Sequence, residues 1–349
     1  MILSISRRTD IPAFYGEWLA NRVKAGQVMV RVPREPSIVR VVRLNRDEVS
    51  GIVFWTKNVG PFLPRLPLFK AWPYYFQYTV TPYGWVEESG VPSLAKRKEM
   101  LKRLSGMIGP QRIIWRYDPV ILRKGRFDEA FHFRMFEELA KDFSGQVRKV
   151  VVTMLNSDYR LARANLSSLL RLGLIAPVPP ARAANLLLGL KDIALSQSLE
   201  FEICLPPPGL RALSDLPLGR CIDAWLLEDI AGRHLGLRRS SNRRPGCGCA
   251  GSLDLGAYGT CVQGCIYCYA TDDYMGAWHR RKTHDPSSPI LGSVLRPNDR
   301  QVAVFRPKAA TAKPFGGGVS PLPPEIDWSA WPIHLGSNSM NGISSIEIW

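Results

Sequence analysis

Short apolar segments alternate with longer amphipathic segments from the start of the chain to about residue 205. The short segments predict six β-strands, at residues 2–5, 51–55, 74–80, 112–117, 149–154 and 199–205. The longer segments predict helices at residues 14–25, 92–108, 128–143, 159–172 and 181–196. This alternation favours parallel strands joined by right-handed crossovers. We therefore expect an α/β fold built as a TIM-like β/α barrel, closed or partial with six units, and a doubly wound open sheet is the alternative.

Three regions are expected along the chain. Residues 1–236 would form the barrel domain, with an inserted hairpin at about residues 28–44. Residues 237–310 would form a cysteine-rich segment packed on the barrel. Residues 311–349 are rich in Gly, Pro, Ser and Asn, which interrupt regular structure, so we expect a flexible tail there.

Charged side chains follow three of the predicted strands. Arg7, Arg8 and Asp10 come after the first strand, Lys57 comes after the second, and the fourth ends at Arg116 and Asp118. In β/α barrels the carboxyl ends of the strands form the active-site face. We therefore expect these groups to converge on one mouth of the barrel.

The residue types in this set indicate binding of an anion. Its lysine and arginines suit carboxylate or phosphate, with arginine favoured where two oxygens must be held. Its aspartates suit orienting the arginines or holding a ribose hydroxyl. The alternative is a ring of structural ion pairs, most of all for Arg116 and Asp118, because alternate strand positions share a face. The predicted catalytic residues are Asp10, Lys57, Arg116 and Asp118, and Arg7 and Arg8 are predicted to bind a cofactor.

Three cysteines near the end of the chain have metal-ligand spacing. Cys261, Cys265 and Cys268 read C-x3-C-x2-C, and two further cysteines, Cys247 and Cys249, lie shortly upstream. Three thiolates at this spacing suit three corners of a cubane iron–sulfur cluster. The fourth iron then stays open for a ligand that the protein does not supply, which indicates chemistry rather than electron transfer. The upstream pair are candidates for extra ligands, a redox pair or a second metal site.

Other interpretations of the cysteines differ in strength. A disulfide framework fits poorly, because the chain is long and has an odd number of cysteines, 7. A structural zinc site is the main competitor, although such sites more often pair two separate C-x2-C units. Cys204 and Cys221 stand in apolar surroundings and are expected to be small buried hydrophobic residues.

The C-x3-C-x-aromatic-C pattern, with Tyr267 before the last cysteine, resembles the cluster loop of radical S-adenosylmethionine (radical SAM) enzymes. The resemblance implies that Cys261, Cys265 and Cys268 bind a 4Fe–4S cluster and that Tyr267 helps to bind the cofactor. It also implies that the open iron chelates S-adenosylmethionine, whose reductive cleavage gives a 5′-deoxyadenosyl radical that abstracts hydrogen from a substrate.

A wider resemblance covers most of the chain. Ser6 to Pro12, Phe54 to Asn58 and Cys247 to Ala270 are similar to the bacterial family called domain of unknown function 1848 (DUF1848). The C-terminal cysteines of that family resemble the radical SAM cluster loop, and no reaction comes with the resemblance. One departure is that radical SAM enzymes usually carry the loop after the first barrel strand, whereas here it follows all the predicted barrel strands.

Composition indicates the class of partner. Lys and Arg exceed Asp and Glu by 46 − 30 = 16, which favours anionic partners such as nucleic acid or a phosphorylated metabolite. A basic run at residues 238–244 leads directly to Cys247. No apolar run reaches the length of a membrane span, so we expect a cytoplasmic protein with no membrane partner. A reducing cytoplasm also suits free thiolates.

The leading hypothesis is a radical SAM-type enzyme with a 4Fe–4S cluster and S-adenosylmethionine as cofactors. Its substrate would be an anionic small molecule or a nucleic acid, and a reductase, ferredoxin or flavodoxin would donate electrons. One alternative is a zinc-stapled nucleic-acid-binding protein without catalysis. The other is a non-catalytic electron-transfer or sensor protein whose cluster is ligated entirely by the protein.

Overall fold

The computed structural model of the protein describes residues 1–206, 209–210, 216–237 and 247–304. The predicted tail at residues 311–349 and the basic run at residues 238–244 lie outside this part of the chain. No helix in the described ranges combines the length and the apolar character needed to cross a membrane.

The centre of the fold is a seven-stranded parallel sheet. From edge to edge its strands are β8 (Glu200–Ile203), β7 (Lys149–Met154), β6 (Ile113–Val120), β5 (Tyr74–Thr79), β4 (Gly51–Thr56), β1 (Ile2–Ile5) and β9 (Ser252–Asp254). A smaller sheet contains β2 (Gln27–Arg31), β3 (Ile38–Arg43) and β10 (Arg300–Val304). The predicted hairpin is its antiparallel β2–β3 pair.

Helices follow most strands of the large sheet. They are α1 (Ile11–Phe14), α2 (Gly16–Lys24), α3 (Leu94–Ile108), α4 (Glu129–Phe143), α5 (Arg160–Asn165), α6 (Ser167–Arg171), α7 (Pro180–Ser196), α8 (Ala224–Ala231) and α9 (Tyr274–Thr283). Two 3-10 helices span Gly60–Phe69 and Pro110–Arg112. The predicted helix at residues 159–172 is two short helices, and Asn165, the last residue of the first one, donates to the carbonyl oxygens of Cys268 and Thr271 at 2.8 and 2.9 Å.

Both faces of the large sheet are covered. Trp115 and its neighbours on one face pack with apolar residues of α2, α3, α4 and α7 in the main core. Ile114, Val53 and Tyr75 on the other face pack against Leu226 and Leu227 of α8. Because side chains alternate along a strand, Arg116 lies on the α8 side, one residue beyond Trp115.

The sheet has one more strand than the six that were predicted. Strand β9 comes from the cysteine-rich segment and pairs in parallel with β1, in register from Ile2 opposite Ser252 to Ser4 opposite Asp254. A segment expected to pack on the sheet therefore completes it. The architecture is α/β with a parallel sheet between helices, and successive strands β1, β4, β5, β6, β7 and β8 are sheet neighbours.

Candidate functional site

The loop of residues 261–268, called the cysteine loop below, lies at the carboxyl ends of β1 and β4. The side chain of Gln263 donates a 2.6 Å hydrogen bond to Asp10, which follows β1. Lys57, which follows β4, donates a 3.0 Å hydrogen bond to the hydroxyl of Tyr267. The three predicted cluster ligands are therefore placed at the carboxyl edge of the sheet.

The backbone of the cysteine loop also pairs with the segment that precedes α3. Gly90 N donates to Gln263 O at 2.8 Å, and Ile266 N donates to Glu87 O at 3.0 Å. A Cβ atom at Gly90 would overlap the carbonyl oxygen of Val262. Glycine at this position therefore permits the close approach of the two segments.

Glu88 is the centre of a buried charge cluster beside the loop. Its carboxylate accepts hydrogen bonds of 2.8 Å from both Lys57 and Thr81, and one from the hydroxyl of Tyr267. Arg97 lies 3.4 Å from its other oxygen. Burial opposes ionisation of Glu88, but Lys57 and Arg97 outweigh burial and lower its pKa. Burial and the Glu88 charge raise the pKa of Tyr267 well above its usual value, so Tyr267 is a neutral donor.

Asp10 joins two strand ends to the cysteine loop. Besides Gln263, its carboxylate accepts from Lys57 N at 2.8 Å and from Ala13 N at 3.0 Å, which caps α1. Burial raises its pKa, although these hydrogen bonds favour the ionised form. Both of its carboxylate oxygens therefore accept hydrogen bonds within the protein, and the cysteine loop supplies one of the donors.

Asp254 on β9 forms ion pairs with the two arginines that follow β1. Its oxygens lie 3.5 Å from Arg7 Nε and 3.4 Å from Arg8 Nε, and Ser4 and Ser6 donate to it at 2.8 and 2.6 Å. Burial opposes ionisation, but Arg8 and Arg7 outweigh it and lower the pKa of Asp254. The single carboxylate of Asp254 therefore offsets one of the two positive charges that Arg7 and Arg8 bring to this edge.

Arg116 lies farther along the same edge. Its guanidinium donates to Asp118, to Thr153 at 3.1 Å and to the sulfur of Cys221 at 3.0 Å. Its Cζ atom lies 5.5 Å from the ring centroid of Trp55, which is cation–π distance. Arg116 is thus paired with Asp118, and it links this edge to a second group of cysteines.

The thiols of the cysteine loop are half-buried and close enough to influence one another electrostatically. Burial raises the pKa of Cys261 to about 12 and that of Cys265 well above its usual value. Ala270 N donates to the sulfur of Cys268 at 3.4 Å, and Lys57 favours the thiolates of Cys265 and Cys268. Donors and a cation directed at sulfur suit thiolate ligands.

Within the described ranges, no group of three or more His, Cys, Asp or Glu residues is arranged to hold a metal ion. A single metal ion needs ligands that converge on one point. The three thiolates of a cubane bind three different irons and therefore stand farther apart. The donor set of the cysteine loop, three thiols and no carboxylate, fits the cubane in chemistry.

The other four cysteines form a separate group. The sulfurs of Cys204 and Cys221 lie 3.1 Å apart, and Cys221 N donates to the sulfur of Cys249 at 3.2 Å. The thiols of Cys247 and Cys249 are hydrogen-bonded to each other. Cys204 and Cys221 are buried, as expected, but they contact sulfur as well as apolar groups. Cys247 and Cys249 therefore make these contacts within the group of four cysteines.

Sequence reasoning missed several residues of the site. Glu88 and Arg97 belong to no recognisable motif, and Asp254 lies on the unpredicted strand β9. The side-chain atoms Trp55 Nε1 and Gln77 Oε1, which sit at paired positions of β4 and β5, are buried without a hydrogen-bond partner among the described residues. The α8 side of the sheet therefore carries an unsatisfied donor and an unsatisfied acceptor, and the ring of Trp55 contacts Arg116.

Comparison with known proteins gives one match. The model of the family described as domain of unknown function (DUF1848) matches residues 2–270. No curated protein and no solved structure matches the chain. The matched range includes all the strands of the large sheet and all seven cysteines. The chain therefore belongs to the DUF1848 family.

Proposed function

We propose that the protein is an iron–sulfur enzyme of the radical SAM type. Cys261, Cys265 and Cys268 would bind a 4Fe–4S cluster whose fourth iron is left for S-adenosylmethionine. When bound, such a cluster supplies the electron that cleaves S-adenosylmethionine. The observation that carries the proposal is the separation of the cysteines into a group of three and a group of four.

This separation favours an open iron over a cluster ligated entirely by the protein. Cys249, the nearest sequence candidate for a fourth ligand, receives backbone N–H groups from Cys221 and Ile222 at 3.2 and 3.5 Å. Those contacts hold its sulfur in the other group. A fourth thiolate would have to leave them to reach the cysteine loop.

The chain's own residues hold the loop rigid. Asp10 fixes Gln263, Lys57 and Glu88 fix Tyr267, and the carbonyl oxygen of Arg7 accepts from the Tyr269 hydroxyl at 2.6 Å. Rigid placement of ligands by a surrounding shell of hydrogen bonds is typical of functional metal sites. We infer positioning roles for Asp10, Lys57 and Tyr267.

The sheet would form the partial barrel expected for this enzyme class. Strands β1, β4, β5, β6, β7 and β8 follow one another in chain order across the sheet, and α8 covers the face that would be the interior. The unpartnered donor Trp55 Nε1, with Arg116 above Trp55, would bind the anionic group of the substrate, and Gln77 Oε1 would accept from a hydroxyl or amino group of the same molecule. Because Arg116 is already paired with Asp118, the substrate would have to compete with that carboxylate. A cytoplasmic reductase, ferredoxin or flavodoxin would donate the electron.

The deciding experiment is electron paramagnetic resonance of the reduced, anaerobically reconstituted protein with and without S-adenosylmethionine. We expect the spectrum to change and 5′-deoxyadenosine to form slowly, in the wild type and in a Cys247→Ala plus Cys249→Ala variant alike. A wild type that is inert beside a variant that responds would show that one of these cysteines occupies the fourth iron. Stoichiometric zinc without iron would favour the zinc-stapled nucleic-acid-binding protein.

A further inference from the structure

Two of the four cysteines outside the cysteine loop lie very close to each other. Cys204 and Cys221 are both buried, and their sulfurs lie 3.1 Å apart. The carbonyl oxygen of Cys221 accepts hydrogen bonds from Tyr75 at 2.8 Å and from Gln77 at 3.0 Å. Side chains of the central sheet therefore fix the backbone that carries the pair.

The distance between these sulfurs distinguishes a pair that binds a metal ion from a pair that forms a disulfide. Thiolates at the corners of a tetrahedral zinc site, with Zn–S bonds of about 2.3 Å, stand about 3.8 Å apart. Sulfurs in a disulfide are about 2.05 Å apart. At 3.1 Å, Cys204 and Cys221 are closer than one ion would hold them, and about 1 Å of movement would form the bond. The pair is better placed to form a disulfide than to bind an ion.

A half-buried thiol connects this pair to the outside of the group. Cys249 is less buried than Cys204 and Cys221, and its thiol is hydrogen-bonded to that of Cys221. Two backbone N–H groups, from Cys221 and Ile222, point at the Cys249 sulfur. Such donors stabilise the negative charge of a thiolate that leaves a disulfide, as backbone N–H groups stabilise the negative oxygen in an oxyanion hole.

We propose that Cys204 and Cys221 form a redox-active dithiol that exchanges with a low-molecular-weight disulfide through Cys249. The Cys249 thiolate attacks one sulfur of the small disulfide, whose S–S bond breaks and releases one small thiol. Cys221 then attacks the Cys249 sulfur and releases the second small thiol, giving a Cys221–Cys249 disulfide. Cys204 attacks Cys221 and releases Cys249 as a thiolate, which takes up a proton. The dithiol loses two electrons and two protons, and the small disulfide gains both.

Oxidation of the pair would change the contacts of Arg116 at the carboxyl edge of the sheet. Arg116 donates to the Cys221 sulfur at 3.0 Å, and this acceptor is weakened when the sulfur enters a disulfide. Arg116 would then be left with Asp118 and Thr153. The redox state of the pair thus sets the partners of the arginine that the proposed substrate would contact.

The test is disulfide mapping of the anaerobically purified full chain after exposure to oxidised glutathione, with alkylation of the remaining thiols and mass spectrometry. We expect a Cys204–Cys221 link in the wild type. Cys249→Ser should slow its formation by about tenfold, because the half-buried attacking thiol is lost. Cys265→Ala should leave the link unchanged, which keeps this result independent of cluster binding.

Three results would overturn the proposal. Cys204 and Cys221 could remain open to alkylation after full exposure, or Cys249→Ser could leave the rate unchanged. Alternatively, the native protein could hold zinc that Cys221→Ser releases, which would make the group a metal site. The wild-type map and metal content need no variant, so a Cys249→Ser or Cys221→Ser chain that fails to fold does not remove the test.

Discussion

Lys57 donates a 2.8 Å hydrogen bond to Glu88, and the Tyr267 hydroxyl donates to the same carboxylate oxygen. The side chain of Glu88 is 1% exposed, so these partners replace the water that an isolated carboxylate would need. Through this one oxygen, the end of β4 is tied to the residue that precedes Cys268. The position of the cysteine loop therefore depends on a carboxylate that is remote from it in sequence.

Replacing Glu88 by Gln should destabilise the protein by about 3 kcal/mol, because Lys57 and Arg97 lose a buried counter-charge. Urea unfolding measures the loss, and amide hydrogen exchange of residues 263–268 should speed up. Glu99→Gln is the matched control. Glu99 bonds Lys96 on the surface with 60% of its side chain exposed, and its replacement should cost less than about 1 kcal/mol. Equal losses in the two variants would contradict the assignment.

Gly90→Ala should displace the cysteine loop, because the added Cβ would overlap the Val262 carbonyl oxygen. We expect a loss of about 1–3 kcal/mol and weaker retention of iron. Gly84→Ala adds the same methyl group where no heavy atom lies within 4 Å, so it should be nearly neutral. Thermal unfolding and iron analysis of both variants check the prediction, which fails if the two behave alike.

Acid should weaken the protein through Asp254, whose folded pKa lies below the usual 3.8 because Arg8 and Arg7 outweigh burial. The unfolded chain therefore binds a proton at higher pH than the folded chain does. The stabilisation is complete above about pH 5 and is lost as pH falls through the folded pKa. Unfolding free energies from pH 7 to pH 3 should show this loss.

Asp254→Asn should remove that part of the acid dependence and cost about 3 kcal/mol at pH 7. Asp229→Asn is the control, since Asp229 pairs with Arg148 at the surface with 64% of its side chain exposed. It should leave both the slope and, within about 1 kcal/mol, the stability unchanged. An unaltered acid slope in Asp254→Asn would assign the effect to another group.

Anaerobic reconstitution should give about four iron and four sulfide per chain, as a cubane requires. Cys265→Ala should reduce iron to near zero, because three thiolates are the smallest ligand set for this cluster. Cys204→Ala, in the other cysteine group, should keep it. Iron and acid-labile sulfide analyses measure both, and equal iron in the two variants would reject the assignment of ligands.

The sequence predicted the elements whose apolar runs are sharply bounded. The bounds of β1 and β7 were predicted residue for residue, because each is a short run composed mainly of apolar side chains. Strand β9 was missed because Ser252, Leu253 and Asp254 contain a single apolar residue. Its identity comes from pairing with β1, a contact that no local pattern encodes.

The sequence predicted the residue types of the site better than it predicted the contacts between them. The strand-end charges and the cysteine spacing were visible in the sequence, but the partners of those charges were not. Glu88 meets Lys57 and Arg97 only through the fold, and the contact of Cys204 with Cys221 depends on how β8 and the segment before α8 approach. Long-range pairing of this kind determines which groups are neutralised and which face a ligand.

The pairing of β1 with β9 sets an order of events during synthesis. Strand β1 leaves the ribosome first, yet one of its edges lacks its partner until residue 254 has been made. At roughly 5–20 residues per second, that interval lasts on the order of tens of seconds. During it the arginines after β1 have no Asp254, and the exposed strand edge is open to pairing with other chains. Nascent chains of this protein should therefore need protection by a chaperone until the cysteine-rich segment emerges, and any cluster can be inserted only after that point.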